Sequence, residues 1–249
     1  MHQLNDEEYS QYLQEIKRVK TQSSSNNSND IFETVDWVTY GAVTRVKDQL
    51  QCGSCWAFAA VGAIEGSFFL KYNLSEEFSV QQLVDCSPQN TGCNGGLMTL
   101  AYQYLEGNQL LEFWSDYPYI GYTQRCKYNK NFGRIRLQGY VNVAKYDANE
   151  LQKAVQQQPI SIAIESDSIY IQFYNSGIVQ DVRCGTQVDH GVLIVGYGYD
   201  VFYGEEYWLV KNSWGADWGE NGYFRILKNA LNGPGICGIQ ISPQYPILS

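Results

Sequence analysis

The chain has 249 residues, 44% of them apolar, with 23 Gly and 20 Tyr, enough for a sizeable core in one large domain or two lobes. Its net charge is −9 and its only basic cluster is the early KRVK, which argues against nucleic acid as a partner. The longest apolar run, Cys55 to Leu70, is broken by Glu65 and too short to span a bilayer, and the charged first residues hold no signal-peptide core.

In chain order, residues 1–20 carry a weak helical pattern on Leu4, Tyr12, Leu13, Ile16 and Val19. The polar stretch TQSSSNNSND, Thr21–Asp30, follows as an exposed linker and is the clearest boundary. Ala57, Phe58, Val61, Ile64, Phe68 and Phe69 then recur at helical spacing, predicting a helix from Cys55 to about Lys71. SVQQLVDC predicts a second helix, with Ser79 and Gln82 at capping-box spacing. After the turn TGCNGG, LMTLAYQYLEG predicts a third helix that ends near Gly107. Beyond about Val141 the pattern changes. PISIAIE, HGVLIVGYGY, EYWLVKN and GYFRIL are short, β-branched and aromatic, and bounded by Gly, Pro or Asn, so they read as strands. A helix-rich half followed by a strand-rich half gives an α+β protein of two lobes.

Seven cysteines (52, 55, 86, 93, 126, 184, 237) are spread over the chain, as expected of staples in an oxidising compartment, and an odd count leaves at least one thiol unpaired. QCGSCWAF, Gln51 to Phe58, holds two of them as C-x-x-C. Structural zinc would need a second local pair of Cys or His ligands, which the chain lacks. A disulfide-exchange pair would also stand ahead of a helix, but the segment before Cys52 is a poor buried strand and five further cysteines fit that reading badly. The third reading is a thiol nucleophile. Cys55 would begin a helix, whose unpaired N–H groups and dipole favour a thiolate. His190, opening the strand HGVLIV, would hold the proton as imidazolium. Asn212 is available to orient that imidazole, and the Gln49 side chain with the Cys55 N–H would serve an oxyanion. On position alone, His190 reads first as a core histidine with its hydrogen bonds satisfied.

CGSCW at 52–56, VDWVTYGAVTRVKDQ, GCNGGLM, VDHGVLIVGYG and KNSWGADWGENGYF occur in the order found in one family. From Ile31 to Ser249 the sequence resembles the papain-like cysteine peptidases, in the cathepsin L-like branch. The resemblance implies a two-lobed α+β fold in which a helical lobe precedes a β-barrel-like lobe and the active cleft lies between them. It implies a helix-rich lobe over about 40–140 and a β-rich lobe over about 141–240 plus the segment 31–39. Residues 1–30 then resemble the end of an inhibitory prosegment and its linker, so the chain reads as a truncated precursor without its signal peptide. By matching motif, Cys55 is the nucleophile, His190 the acid/base, Asn212 its orienter and Gln49 the oxyanion donor. Trp214 would shield the Asn–His bond, although Trp214 and Trp218 read equally as core aromatics. Gly95 and Gly96 match a substrate-pairing turn, and are otherwise simply a turn after Cys93. Leu97, Met98, Ala163, Val188 and Ser242 match the pocket for the second residue before the scissile bond, and Asp189 is carried over as substrate-binding. The family's disulfides would be Cys52–Cys93, Cys86–Cys126 and Cys184–Cys237, leaving Cys55 free.

The chain departs from the family pattern at Leu50, where Gly usually follows the oxyanion glutamine, and at Ala59, which replaces a common Ser. If that Gly serves an unusual backbone angle, Leu50 would displace Gln49. The resemblance implies polypeptide substrates, inhibition by the prosegment and by cystatin-type proteins, no metal or organic cofactor, a monomer, and a lysosomal, vacuolar or secreted setting. The rival readings are a non-catalytic peptide-binding relative, which would normally have lost Cys55 or His190, and a disulfide oxidoreductase. Asn-x-Ser sequons at Asn26 and Asn73 permit glycosylation.

Overall fold

A computed structural model describes residues 33–107, 109–229 and 232–249. The leader helix, the linker Thr21–Asp30 and the Asn26 sequon lie outside the described residues. The helices are α1 (Trp37–Tyr40), α2 (Cys55–Tyr72), α3 (Val80–Cys86), α4 (Met98–Glu106), α5 (Ala148–Gln157) and α6 (Ile169–Gln172). The strands are β1 (Val35–Asp36), β2 (Leu111–Glu112), β3 (Gly133–Ile135), β4 (Leu137–Asn142), β5 (Ile160–Ile164), β6 (Ile178–Val179), β7 (His190–Asp200), β8 (Glu205–Lys211), β9 (Tyr223–Leu227) and β10 (Gln244–Leu248).

Helices dominate the first half. α2 is rich in alanine, the best helix former, and is buried along most of its length, as an almost uniformly apolar helix must be. It stops where Asn73 adopts a left-handed conformation (φ 54) and returns its N–H to Phe69 O. Trp56, Ala60, Ile64, Phe78, Leu83, Tyr102 and Leu105 form the core around it. The capping box expected at α3 is half formed. Ser79 accepts from Gln82 N, as an N-cap should, at 2.9 Å. The Gln82 side chain instead donates to Leu110 O and accepts from Glu112 N, because β2 lies closer than the Ser79 N–H, which is bonded to Glu112 O.

The second half is a sheet ordered β4-β10-β5-β7-β8-β9-β6, with β1 joined to β7. Its core contains Ile160, Ile162, Ile194, Trp208, Val210, Phe224 and Ile226. β7 is the central strand and packs on α2. Gly191 permits that contact, since a Cβ there would stand 3.1 Å from Cys55 O and 3.2 Å from Trp56 Cα. This close approach sets the residue before it, His190, beside the start of α2.

The halves also exchange segments. β1 pairs with β7 through Val35↔Tyr197, while β10 pairs with β4 and brings Leu248 and Leu137 into the α2 core. Disulfides join Cys52–Cys93, Cys86–Cys126 and Cys184–Cys237, and Cys55 is free.

Candidate active site

Cys55 is the first residue of α2, so its N–H has no intrahelical acceptor. Its sulfur stands near the His190 ring and the backbone N–H groups of Gly191 and Trp56, all of which favour its ionised form. Burial pushes the thiol pKa up, but the His190 bond and charge, with the two N–H groups, outweigh it and hold the thiol below its ordinary range. For His190 burial acts downward, and the contacts with Cys55 and then Asn212 turn the net shift upward. Both shifts favour a thiolate beside an imidazolium.

His190 Nε2 lies 2.8 Å from Asn212 Oδ1, leaving Nδ1 for the sulfur. Asn212 Oδ1 also accepts the Ser213 N–H at 2.8 Å, which fixes which end of the amide meets the ring. The Trp214 ring lies over the imidazole, centroids 4.8 Å apart, and Trp218 meets Trp214 edge-on. Trp214 and Trp218 both pack against the second-half core, so the aromatic-core reading holds as well.

Gln49 is bound at four points. Its N–H donates to Ser213 O, its carbonyl accepts from Tyr119 Oη, its Nε2 donates to Cys52 O and its Oε1 accepts from Ser213 Oγ, at 2.8, 2.8, 2.8 and 2.6 Å. The second Nε2 hydrogen is left for a ligand. Leu50 itself takes the left-handed angle, φ 55, and is 58% exposed. The strain is therefore carried by Leu50 while Gln49 stays bonded. Leu50→Gly should raise stability by about 0.5–1 kcal/mol, since only Gly adopts this angle without penalty. Thermal unfolding would register it, and an unchanged or lower midpoint would mean that Leu50 packing on Gly121 outweighs the strain.

The subsite positions gather around a cleft of about 490 Å³ that also includes Cys55 and His190. Gly96, Leu97 and Met98 line one wall, and Ala163, Val188, Asp189 and Ser242 line the other. Gly95 stands at φ 112 with open space around it. Asn90 Oδ1 accepts the Leu97 N–H and Thr91 Oγ1 donates to Gly95 O, so the turn is held from behind. Asp189 turns its carboxylate to the Ser166 N–H at 2.7 Å.

The sequence profile of the papain family cysteine protease matches residues 31–247. The chain belongs to the papain family of cysteine proteases. It is 43% identical to cysteine proteinase RD21A of Arabidopsis thaliana over 98% of this chain and 54% of that protein. It is 44% identical to cathepsin L of Sarcophaga peregrina over 86% of this chain and 63% of that protein. The chain thus spans less than two thirds of the length of these relatives. Among solved structures, bromelain protease from Ananas comosus, in complex with the E64 inhibitor, superposes with a TM-score of 0.81 at 38% identity, covering 87% of this chain and 99% of that one.

This papain-family chain also contains supporting residues that the sequence reading did not assign. Ser213 joins Gln49 to the Asn212 loop. Behind it lies a buried polar cluster in which Glu65 accepts from Thr44 Oγ1, Lys47 Nζ and Phe78 N at 2.5, 3.1 and 3.0 Å. Lys211 Nζ donates to Thr44 O at 2.8 Å, and burial, reinforced by the nearby Lys47 charge, pulls its pKa down to about 7. The available signal was a lone Glu in an apolar helix and a Lys ending an apolar strand. Read from sequence, Glu65 served only to argue against a membrane span.

Proposed function

We propose that this chain is a cysteine endopeptidase in which Cys55 attacks the scissile carbonyl and His190 moves the proton. The observation that carries the reading is the line of Cys55 sulfur, His190 and Asn212, in which the thiol is held below its ordinary range and the imidazole above its own. The thiolate adds to the carbonyl, and the oxyanion accepts from the Cys55 N–H and the free Gln49 Nε2–H. His190 gives its proton to the departing amine as the C–N bond breaks, leaving a thioester. Water then attacks, His190 takes its proton, and collapse breaks the C–S bond, leaving the Cys55 thiolate beside the imidazolium while the carboxylic acid product gives its own proton to solvent. Asn212 keeps the ring in the orientation that both transfers require, and Trp214 covers that bond from water.

The substrates proposed are polypeptides running through the Gly95–Gly96 turn, with Asp189 beside them. A prosegment and cystatin-type protein inhibitors are proposed for the same cleft, and a monomer suffices for the mechanism. A lysosomal, vacuolar or secreted setting is proposed from the family membership, and three disulfides, which persist where thiols are not kept reduced, support it.

The second residue before the scissile bond would enter the pocket of Leu97, Met98, Ala163, Val188 and Ser242. Burying a Leu or Phe side chain there gains roughly 25 cal/mol per Å² of apolar area. An arginine would meet no acidic side chain among the five pocket residues, and among the described residues of the cleft lining the one carboxylate is Asp189. Ser242 Oγ is bonded to Gln244 Nε2, Asp189 is turned to Ser166, and the charged Lys145 stands on the lining. A fluorogenic Phe-Arg peptide should therefore be cleaved with kcat/KM at least about tenfold above its Arg-Arg counterpart, or roughly 1.4 kcal/mol. Prior labelling of Cys55 by an active-site epoxide should stop both. Equal turnover of the two peptides would overturn the pocket assignment, and turnover surviving complete labelling would overturn the mechanism.

A further inference from the structure

The far end of α2 raises a separate question. Asn73 closes the helix and begins Asn73-Leu74-Ser75, and all three residues are exposed. Neither the Asn73 amide nor the Ser75 hydroxyl has a hydrogen-bond partner among the described residues. Near Asn73 the residues Leu70, Tyr72 and Leu74 are exposed by 36%, 43% and 55%, with Lys71 Nζ lying over the Tyr72 ring. An oligosaccharide on Asn73 would lie beside these side chains. The chain has the disulfides of a protein folded in the compartment where oligosaccharides are transferred to Asn-x-Ser sequences.

We propose that Asn73 carries an N-linked oligosaccharide that covers this apolar end of α2. In the transfer, Asn73 Nδ2 forms a bond to C1 of the first sugar of a lipid-linked oligosaccharide. The bond from that carbon to the polyprenyl diphosphate breaks, the diphosphate leaves and the amide gives up one proton. The transferase acts on the unfolded or folding chain. What the fold adds is an Asn left outside the core with room for the sugar, bordered by apolar side chains that the sugar shields. The 18 residues of α2, at 1.5 Å each, put Asn73 about 27 Å along the helix from Cys55, so the glycan stays clear of the cleft. The proposal is independent of the peptidase reading.

The test is secretion of the whole chain from a eukaryotic host behind a cleavable signal, followed by peptide N-glycosidase, intact mass and peptide mapping. The expected result is a loss of mass, with Asn73 converted to Asp, and no such change in Ser75→Ala. Removal of the sugar from the folded parent should increase binding of an apolar dye and alter kcat/KM for a peptide by less than about twofold. An unmodified Asn73 peptide overturns the proposal, including the case in which only Asn26 is modified. Dye binding that does not change on deglycosylation overturns the shielding role.

Discussion

Cys55→Ser is expected to lower kcat/KM by at least about 10⁴-fold, the scale of losing a nucleophile in acyl transfer, while thermal unfolding moves little. The thermal expectation rests on position: Cys55 lies outside all three disulfides. The kinetic expectation rests on ionisation. The thiol is held below its ordinary range despite its burial, and the imidazole above its own. The thiol thus gives its proton to solvent at a lower pH than an ordinary thiol does, while the ring keeps its own proton until the pH passes the raised histidine value. Activity should rise through the first titration and fall through the second, as properties of the coupled pair. Alkylation by iodoacetamide should accordingly continue at about pH 5, where an ordinary thiol is unreactive. In His190→Ala the bond and charge are gone and burial is opposed only by the Gly191 and Trp56 N–H groups, so alkylation should retreat towards the ordinary thiol range, about pH 8.5. A parent enzyme already showing that alkaline profile would remove the ion pair from the mechanism.

The largest stability effect is expected at Glu65. Replacing it with leucine should cost about 3–5 kcal/mol in chemical denaturation, the range for removing one partner of a buried ion pair. Leucine fills the volume but accepts nothing. Lys47 Nζ, Thr44 Oγ1 and the Phe78 N–H would be left facing an apolar group. Lys211 lies in the same cluster, and its depressed pKa already reports the cost of burying a second ammonium there. Glu65→Gln keeps an acceptor for the Phe78 N–H and loses only the charge, so its cost should fall between parent and leucine variant. A loss below about 1 kcal/mol in Glu65→Leu would rank the cluster with surface pairs. Activity should fall with stability, because Lys211 precedes Asn212, Lys47 lies just before Gln49, and Glu65 sits on the helix that Cys55 begins.

The strands β5, β7, β8 and β9 and the helices α2 to α4 were legible because each carries an uninterrupted apolar pattern of one period between clear stops. The family motifs then set Cys55, His190, Asn212 and Gln49 in one frame. α5 has Leu151, Ala154 and Val155 on one face and Asp147 capping Asn149 and Glu150, a signal present in the sequence but weak beside its many glutamines. β4 and β10 were not read as strands, since LQGYVN and QYPIL lack clean alternation and exist through pairing with each other. The Glu65 cluster was hidden for a related reason. Its members come from residues 44, 47, 65 and 211, and no local pattern announces that they converge.

The exchange of β1 and β10 bears on how the molecule is born. The core around α2 includes Leu248, and Lys71 Nζ is bonded to the carbonyls of Leu248 and Ser249, 177 and 178 residues further along the chain. A ribosome has made the whole helical half long before those residues leave its tunnel. During that interval the half-built core lacks its closing strand, and contacts this distant in sequence form slowly. A nascent chain stalled short of Gln244 should therefore remain open to protease along α2. Completion of the first half waits on a strand translated long after it.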